Sequence, residues 1–265
     1  MSARSLGLAG MLAGAALAFA VAAEAATVTV NWDFADLVNT TESTSGSGYG
    51  NTRTFTSGGQ SVRVTAWSRQ INGQQKFQDA QLGRWSGYGL GVCSHGASEG
   101  TNCGSPEHQL DNENAFDFVL FEFLGGTIDP TGVTIETYSG DDLDASYFVG
   151  TGSLPISLMN LTESDLTALG FDTRQEDGYS GSSSSRTVSI GGNTAATSLL
   201  FGVSETSAGN PDYFKVASMS ATITTSPPSQ TPPASPINEP ATLGLMGVGL
   251  SALAWLGLRH RRRRQ

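Results

Sequence analysis

The ten residues Ala115–Leu124, AFDFVLFEFL, constrain the fold more tightly than any other stretch of the chain. Phe116, Phe118 and Leu120 alternate with Val119, Phe121 and Phe123, so an extended chain here is apolar on both sides. Such a run fits the central strand of a sandwich. Aromatic and β-branched residues fill it and turn residues bound it, which argues against a helix.

The rest of the body reads as shorter strands around that one. Ala26–Phe34 alternates Val28, Val30 and Trp32 against Thr27, Thr29 and Asn31, the period of a half-buried strand. In Ser61–Ser68, Val62, Val64 and Ala66 face one way, and Arg63, Thr65 and Trp67 the other. Arg53–Phe55, Thr127–Thr137, Ala145–Val149, Arg186–Ile190, Ser198–Val203 and Phe214–Thr224 continue the pattern, and Phe77–Leu90 holds two weaker attempts. Residues 39–50 and Gly91–Asn114 are expected to be loops, being rich in Gly, Ser and Thr with little to bury. One helix is expected, over Leu161–Gly170, with Thr162 as N-cap, Asp165 three residues on and Gly170 at its end. The expected fold is mainly β: an antiparallel β-sandwich of jelly-roll-like form with one short helix.

Both ends of the chain read as addresses. Arg4, the apolar run Leu6–Ala22 and the small residues of Ala23-Glu24-Ala25 form a signal peptide over 1–25, with cleavage after Ala25. That leaves a surface domain over 26–225. Residues 226–236, SPPSQTPPASP, hold five of the ten prolines and read as an extended stalk. In 237–265, an uncharged run at 241–258 is followed by Arg259, Arg261, Arg262, Arg263 and Arg264. Eighteen uncharged residues just span a hydrocarbon core as a transmembrane helix, and the arginines hold its end on the cytoplasmic side.

This tail resembles the PEP-CTERM sorting signal of Gram-negative bacteria. Asn238, Glu239 and Pro240 form the motif, with Asn238 standing where the family has its first proline. The resemblance implies recognition by an exosortase-type membrane protease, a transient stay in the inner membrane, cleavage near the motif and delivery to the cell surface or medium. The body adds its own likeness in Gly89–Val92, His108–Asn112, Asp117–Phe123, Tyr138–Asp144 and Asp212–Val216. These stretches are similar to the exosortase-dependent surface proteins that carry such tails. That family implies a β-rich fold at the surface, and a non-enzymatic role in matrix, biofilm or exopolysaccharide.

Charge and cysteine content agree with export. Setting six basic and two acidic residues at the ends aside from 14 and 24 leaves 8 against 22, a body charge of −14. A surface this acidic repels nucleic acid, which is excluded as a partner. Cys93 and Cys103, an even pair in one loop, read as a disulfide.

Candidate chemistry is sparse. Asp111, Asn112 and Asp117 offer oxygens for Ca²⁺, or else Asp111 and Asn112 cap a turn through their own backbone. Asp141, Asp142 and Asp144 allow the same two readings. His95, His108 and His260 have no paired spacing for zinc, and no G-x-S-x-G marks a nucleophile. No carboxylate pair stands out among the acids for glycoside hydrolysis. Trp32, Trp67 and Trp85 read as packing residues, while a solvent-facing set of rings would stack on sugars. The reading is therefore no enzyme and no cofactor beyond possible calcium. The alternatives are a carbohydrate- or calcium-binding β-sandwich module, and then a secreted hydrolase.

Overall fold

In the eight-stranded sheet, the run that dominates the sequence forms β9 (Ala115–Phe123), flanked by β4 (Gln60–Gln70) and β14 (Ser198–Val203). Beyond β4 lie β3 (Thr52–Ser57) and β2 (Thr40–Ser45), and β5 (Phe77–Asp79) pairs with the far end of β4. Beyond β14 lie β11 (Ala145–Gly150) and β12 (Gln175–Asp177). The seven-stranded sheet is built on β15 (Tyr213–Thr225), with β10 (Asp129–Glu136) and β13 (Ser185–Ser189) to one side. On its other edge β15 meets β8 (Leu110–Asp111) and β7 (Gly89–Cys93), which leads to β6 (Gln81–Trp85); β1 (Ala26–Asp33) also pairs with β15. This computed structural model describes residues 26–95, 108–137, 143–179, 183–191, 195–205 and 212–225. The segments read as signal peptide, stalk, sorting motif, transmembrane helix and arginine cluster lie outside them.

The fold is mainly β, two antiparallel sheets with one short helix among the described residues. A shared core joins them: Val64, Val119 and Leu199 from one sheet meet Leu90, Val133 and Val216 from the other. Phe34 stacks on Phe121 at 5.7 Å between ring centres. Thr27–Thr225 is one compact unit.

Two-sided hydrophobicity in β9 has a specific cause. Val119, Phe121 and Phe123 face the shared core, whereas Phe118 and Leu120 face a second cluster on the outer side of the same sheet. Residues 151–171 cover that cluster as a strap, contributing Ile156, Leu158, Leu166 and Phe171. Trp67, on the face that the sequence alternation sets opposite the core, is buried there too, at 7% exposed. Backbone hydrogen bonds from Thr151 to Gly170 and from Asp172 to Val149 tie both ends of the strap beside β11.

The expected helix is a 3-10 helix, Glu163–Leu169. Asp165 Oδ2 accepts from the backbone N–H and the hydroxyl of Thr162, both at 2.8 Å, and Gly170 ends the helix at φ 87°. A left-handed φ is one that glycine adopts without strain.

The two expected loops need correction. Thr40–Ser45 is an edge strand in register with β3, from Thr40 opposite Ser57 to Ser45 opposite Thr52. An edge strand needs one ladder and little burial, so its polar sequence carries no alternation to read. Gly91–Cys93 and Leu110–Asp111 are likewise paired within the stretch expected to be loop. Among the described residues no helix is long and apolar enough to cross a membrane.

Candidate functional site

Three polar or aromatic constellations stand out. The first gathers Asp111 and Asp117, both buried, at the junction of β8 and β9. Asp117 accepts the Ser94 hydroxyl through Oδ1, and the Asp111 N–H through Oδ2 at 3.4 Å. Asn112 turns away, donating to Asp212 Oδ2 at 2.8 Å while its own Oδ1 accepts the Asp212 N–H at 3.0 Å. Asp111 Oδ1 accepts the Glu113 N–H at 3.0 Å, a self-capped Asx turn. The structure thus brings Asp111 and Asp117 together and turns Asn112 toward Asp212, and donors of the chain itself engage both aspartates. Among the described residues no group of three or more His, Cys, Asp or Glu side chains is placed to hold a metal ion. Of the second acidic turn, Asp141 and Asp142 lie outside the described residues; Asp144 accepts the Tyr179 N–H.

The second is an ion-pair network at the same end of the eight-stranded sheet. Arg69 pairs with Glu205 and, at 3.7 Å, with Glu163. Arg174 reaches Glu205, Glu163 at 3.3 Å and Glu176 at 3.0 Å. Burial, helped by the neighbouring Glu205 charge, raises the Glu163 pKa above the usual carboxylate value; burial raises that of Glu176 as well. This network fastens the 3-10 helix to β4 and β12.

The third lies along the free side of β6. A cleft of about 380 Å³ runs between that strand and the β2–β3 hairpin, lined by Thr44, Asn51, Arg53, Gln81, Arg84 and Trp85 among others. Asn51 caps the strand edge, donating to Leu82 O at 2.9 Å and accepting the Leu82 N–H at 2.7 Å. Arg53 and Arg84 both pair with Glu42, so the cationic lining is neutralised in part from the edge strand.

Trp85 does not point into the core. Its indole lies flat over Gly83, where a Cβ would sit 2.0 Å from Cη2, and it borders Gly91, the residue paired with Gly83 across β6 and β7. Only glycine leaves room for the ring at these two positions. Beside it lies Lys215, 4% exposed, with its ammonium 5.4 Å from the Trp85 ring centre and 5.9 Å from that of Tyr88. Burial pushes the Lys215 pKa down to about 8. Tyr88 is 44% exposed and forms the outer wall.

Of the tryptophans read as packing, Trp32 and Trp67 are buried as expected, at 1% and 7% exposed, and Trp85 is the one that lines a cleft. Cys93 is buried and disulfide-bonded; Cys103 lies outside the described residues. Sequence reasoning missed Lys215, which looks like any strand lysine in Tyr213–Ala217, and missed Asp212, 100 residues from its partner Asn112. A legible signal for the ring platform was present in Gly83, Gly87, Gly89 and Gly91 around Trp85, a density that marks close approach to backbone. Comparison with protein-family models, with curated proteins and with solved structures gave no match.

Proposed function

We propose that the chain is an exported, exosortase-processed surface or extracellular-matrix protein whose jelly-roll-like body acts by contact rather than catalysis. The observation that carries this reading is the tail, where Glu239-Pro240, an uncharged run and five arginines follow one another at 237–265. The run at 241–258 has the length to hold the chain in the inner membrane until cleavage. A disulfide-bonded Cys93 fits an oxidising compartment. Mass spectrometry of the mature protein from its native host tests it. The expected C-terminus lies near Asn238–Pro240; an intact Arg261–Arg264 tail on the mature chain would leave a simple membrane anchor instead.

One observation favours a second reading, a carbohydrate-binding module. Trp85 presents a ring at a cleft also lined by Thr44, Asn51, Arg53, Gln81 and Arg84, with exposed Tyr88 close by. Flat rings beside hydrogen-bonding side chains suit the faces and edges of sugars. Retention on a neutral polysaccharide column that is lost in Trp85→Ala would support it, and passage of the unaltered protein without delay would exclude it.

A further inference from the structure

Among the described residues, the Lys215 ammonium makes no hydrogen bond and no ion pair, although the residue is 4% exposed. The carboxylate nearest in register is Glu136, directly across on β10, and it does not pair with the ammonium. Glu136 feels Asp36 and Asp33 instead. From β6 and the turn after it come Trp85 and Tyr88, and His108 packs edge-on against Trp85 with ring centres 4.4 Å apart. Among the described residues the site thus holds one amine with two rings over it and no carboxylate paired to it. A lysine in such surroundings is destabilised as a cation and becomes a nucleophile near neutral pH.

We propose that Lys215, the buried amine without a counterion beneath Trp85 and Tyr88, captures an aldehyde-bearing ligand as an imine. The Nζ lone pair attacks the carbonyl carbon and the C=O π pair moves to oxygen. A proton passes from nitrogen to that oxygen to give the carbinolamine. Loss of the hydroxyl with a second proton, as water, leaves the C=N bond, so amine and aldehyde become imine and water with no redox partner. The two rings that face the amine would face the imine formed in its place. Tyr88, one of the two rings over the amine, is 44% exposed, so the site borders solvent. Burial supports this chemistry, since a pKa of about 8 leaves a useful fraction of free amine at pH 7 to 8. The inference concerns the body alone and does not depend on how the tail is processed.

The chain supplies its own control, because Lys76 and Lys215 are its only lysines. The full exported protein is treated with propionaldehyde and sodium cyanoborohydride at pH 7.5, in native buffer and in urea, then digested and mapped by mass. Native protein is expected to carry the reduced adduct on Lys215 at least about tenfold ahead of Lys76, with the preference gone in urea. Labelling of the folded protein that favours Lys76, or treats the two alike, overturns the proposal. Lys215→Arg, which keeps the cation, should remove the adduct without lowering Tm; adduct that persists at the same total yield would also overturn it.

Discussion

On the outer face of the eight-stranded sheet, Glu122 is 1% exposed and fully engaged. It takes two parallel hydrogen bonds from Arg63, each 2.7 Å, and a third from the Ile156 N–H at 2.8 Å. The pairing holds the Arg63 pKa above its ordinary value. On the outer face of the seven-stranded sheet, Lys215 is nearly as buried, yet among the described residues its ammonium pairs with no carboxylate and lies over two rings. The difference is the covering layer. The strap 151–171 brings its own backbone donors down onto Glu122, and Arg63 is its neighbour directly across β4 and β9. Trp85 and Tyr88 bring π faces and no carboxylate to Lys215. A buried charge that is paired is part of the scaffold; one that is not paired is held at a cost and is free to react.

The largest test of this contrast removes the apolar floor under the strap. Phe118→Ala opens a cavity in the second cluster and is expected to cost about 4 kcal/mol, read by urea unfolding. Next, Glu122→Ala leaves Arg63 and the Ile156 N–H without their acceptor and should cost about 3 kcal/mol. Amide exchange should quicken around Ile156 first. A cost below about 0.5 kcal/mol would mean that the pair is ornamental, as exposed pairs are. The smallest effect falls on the other sheet, where Lys215→Met should leave Tm unchanged or raise it, because a desolvated charge disappears.

The same residue sets a pH signature. Its folded pKa, about 8, lies below the ordinary 10.5, so between those values the unfolded chain binds more protons than the folded one. Stability contributed by this group therefore rises with pH across that window, and the penalty is fully present below it. Unfolding free energies measured from pH 7 to 11 should show this rise in the unaltered protein, and Lys215→Met should flatten it.

Much of the fold was legible because burial leaves a period of two. Val62, Val64 and Ala66 against Arg63 and Thr65 announced β4, and Ser198–Val203 was read with both its ends. Capping chemistry announced the short helix through Thr162, Asp165 and Gly170, though not that it would wind as 3-10. Thr40–Ser45 was illegible for the opposite reason, since an edge strand buries almost nothing. Asp111, Asn112 and Asp117 stand close together in the sequence, but their partners Ser94 and Asp212 come from distant segments.

The sequence by itself determined that the chain is mainly β, that β9 is covered on both faces, and that the ends differ in kind from the body. Those properties are local, written in alternation, turn residues and runs of like composition. Tertiary structure decided what covers each face: a 3-10-bearing strap over Phe118 and Glu122, and a tryptophan laid across two glycines beside Lys215. No local pattern distinguishes Arg63 from Lys215, two cations alternating out of β-strands. Which of them finds a carboxylate depends on strand register and on layers that arrive from elsewhere in the chain.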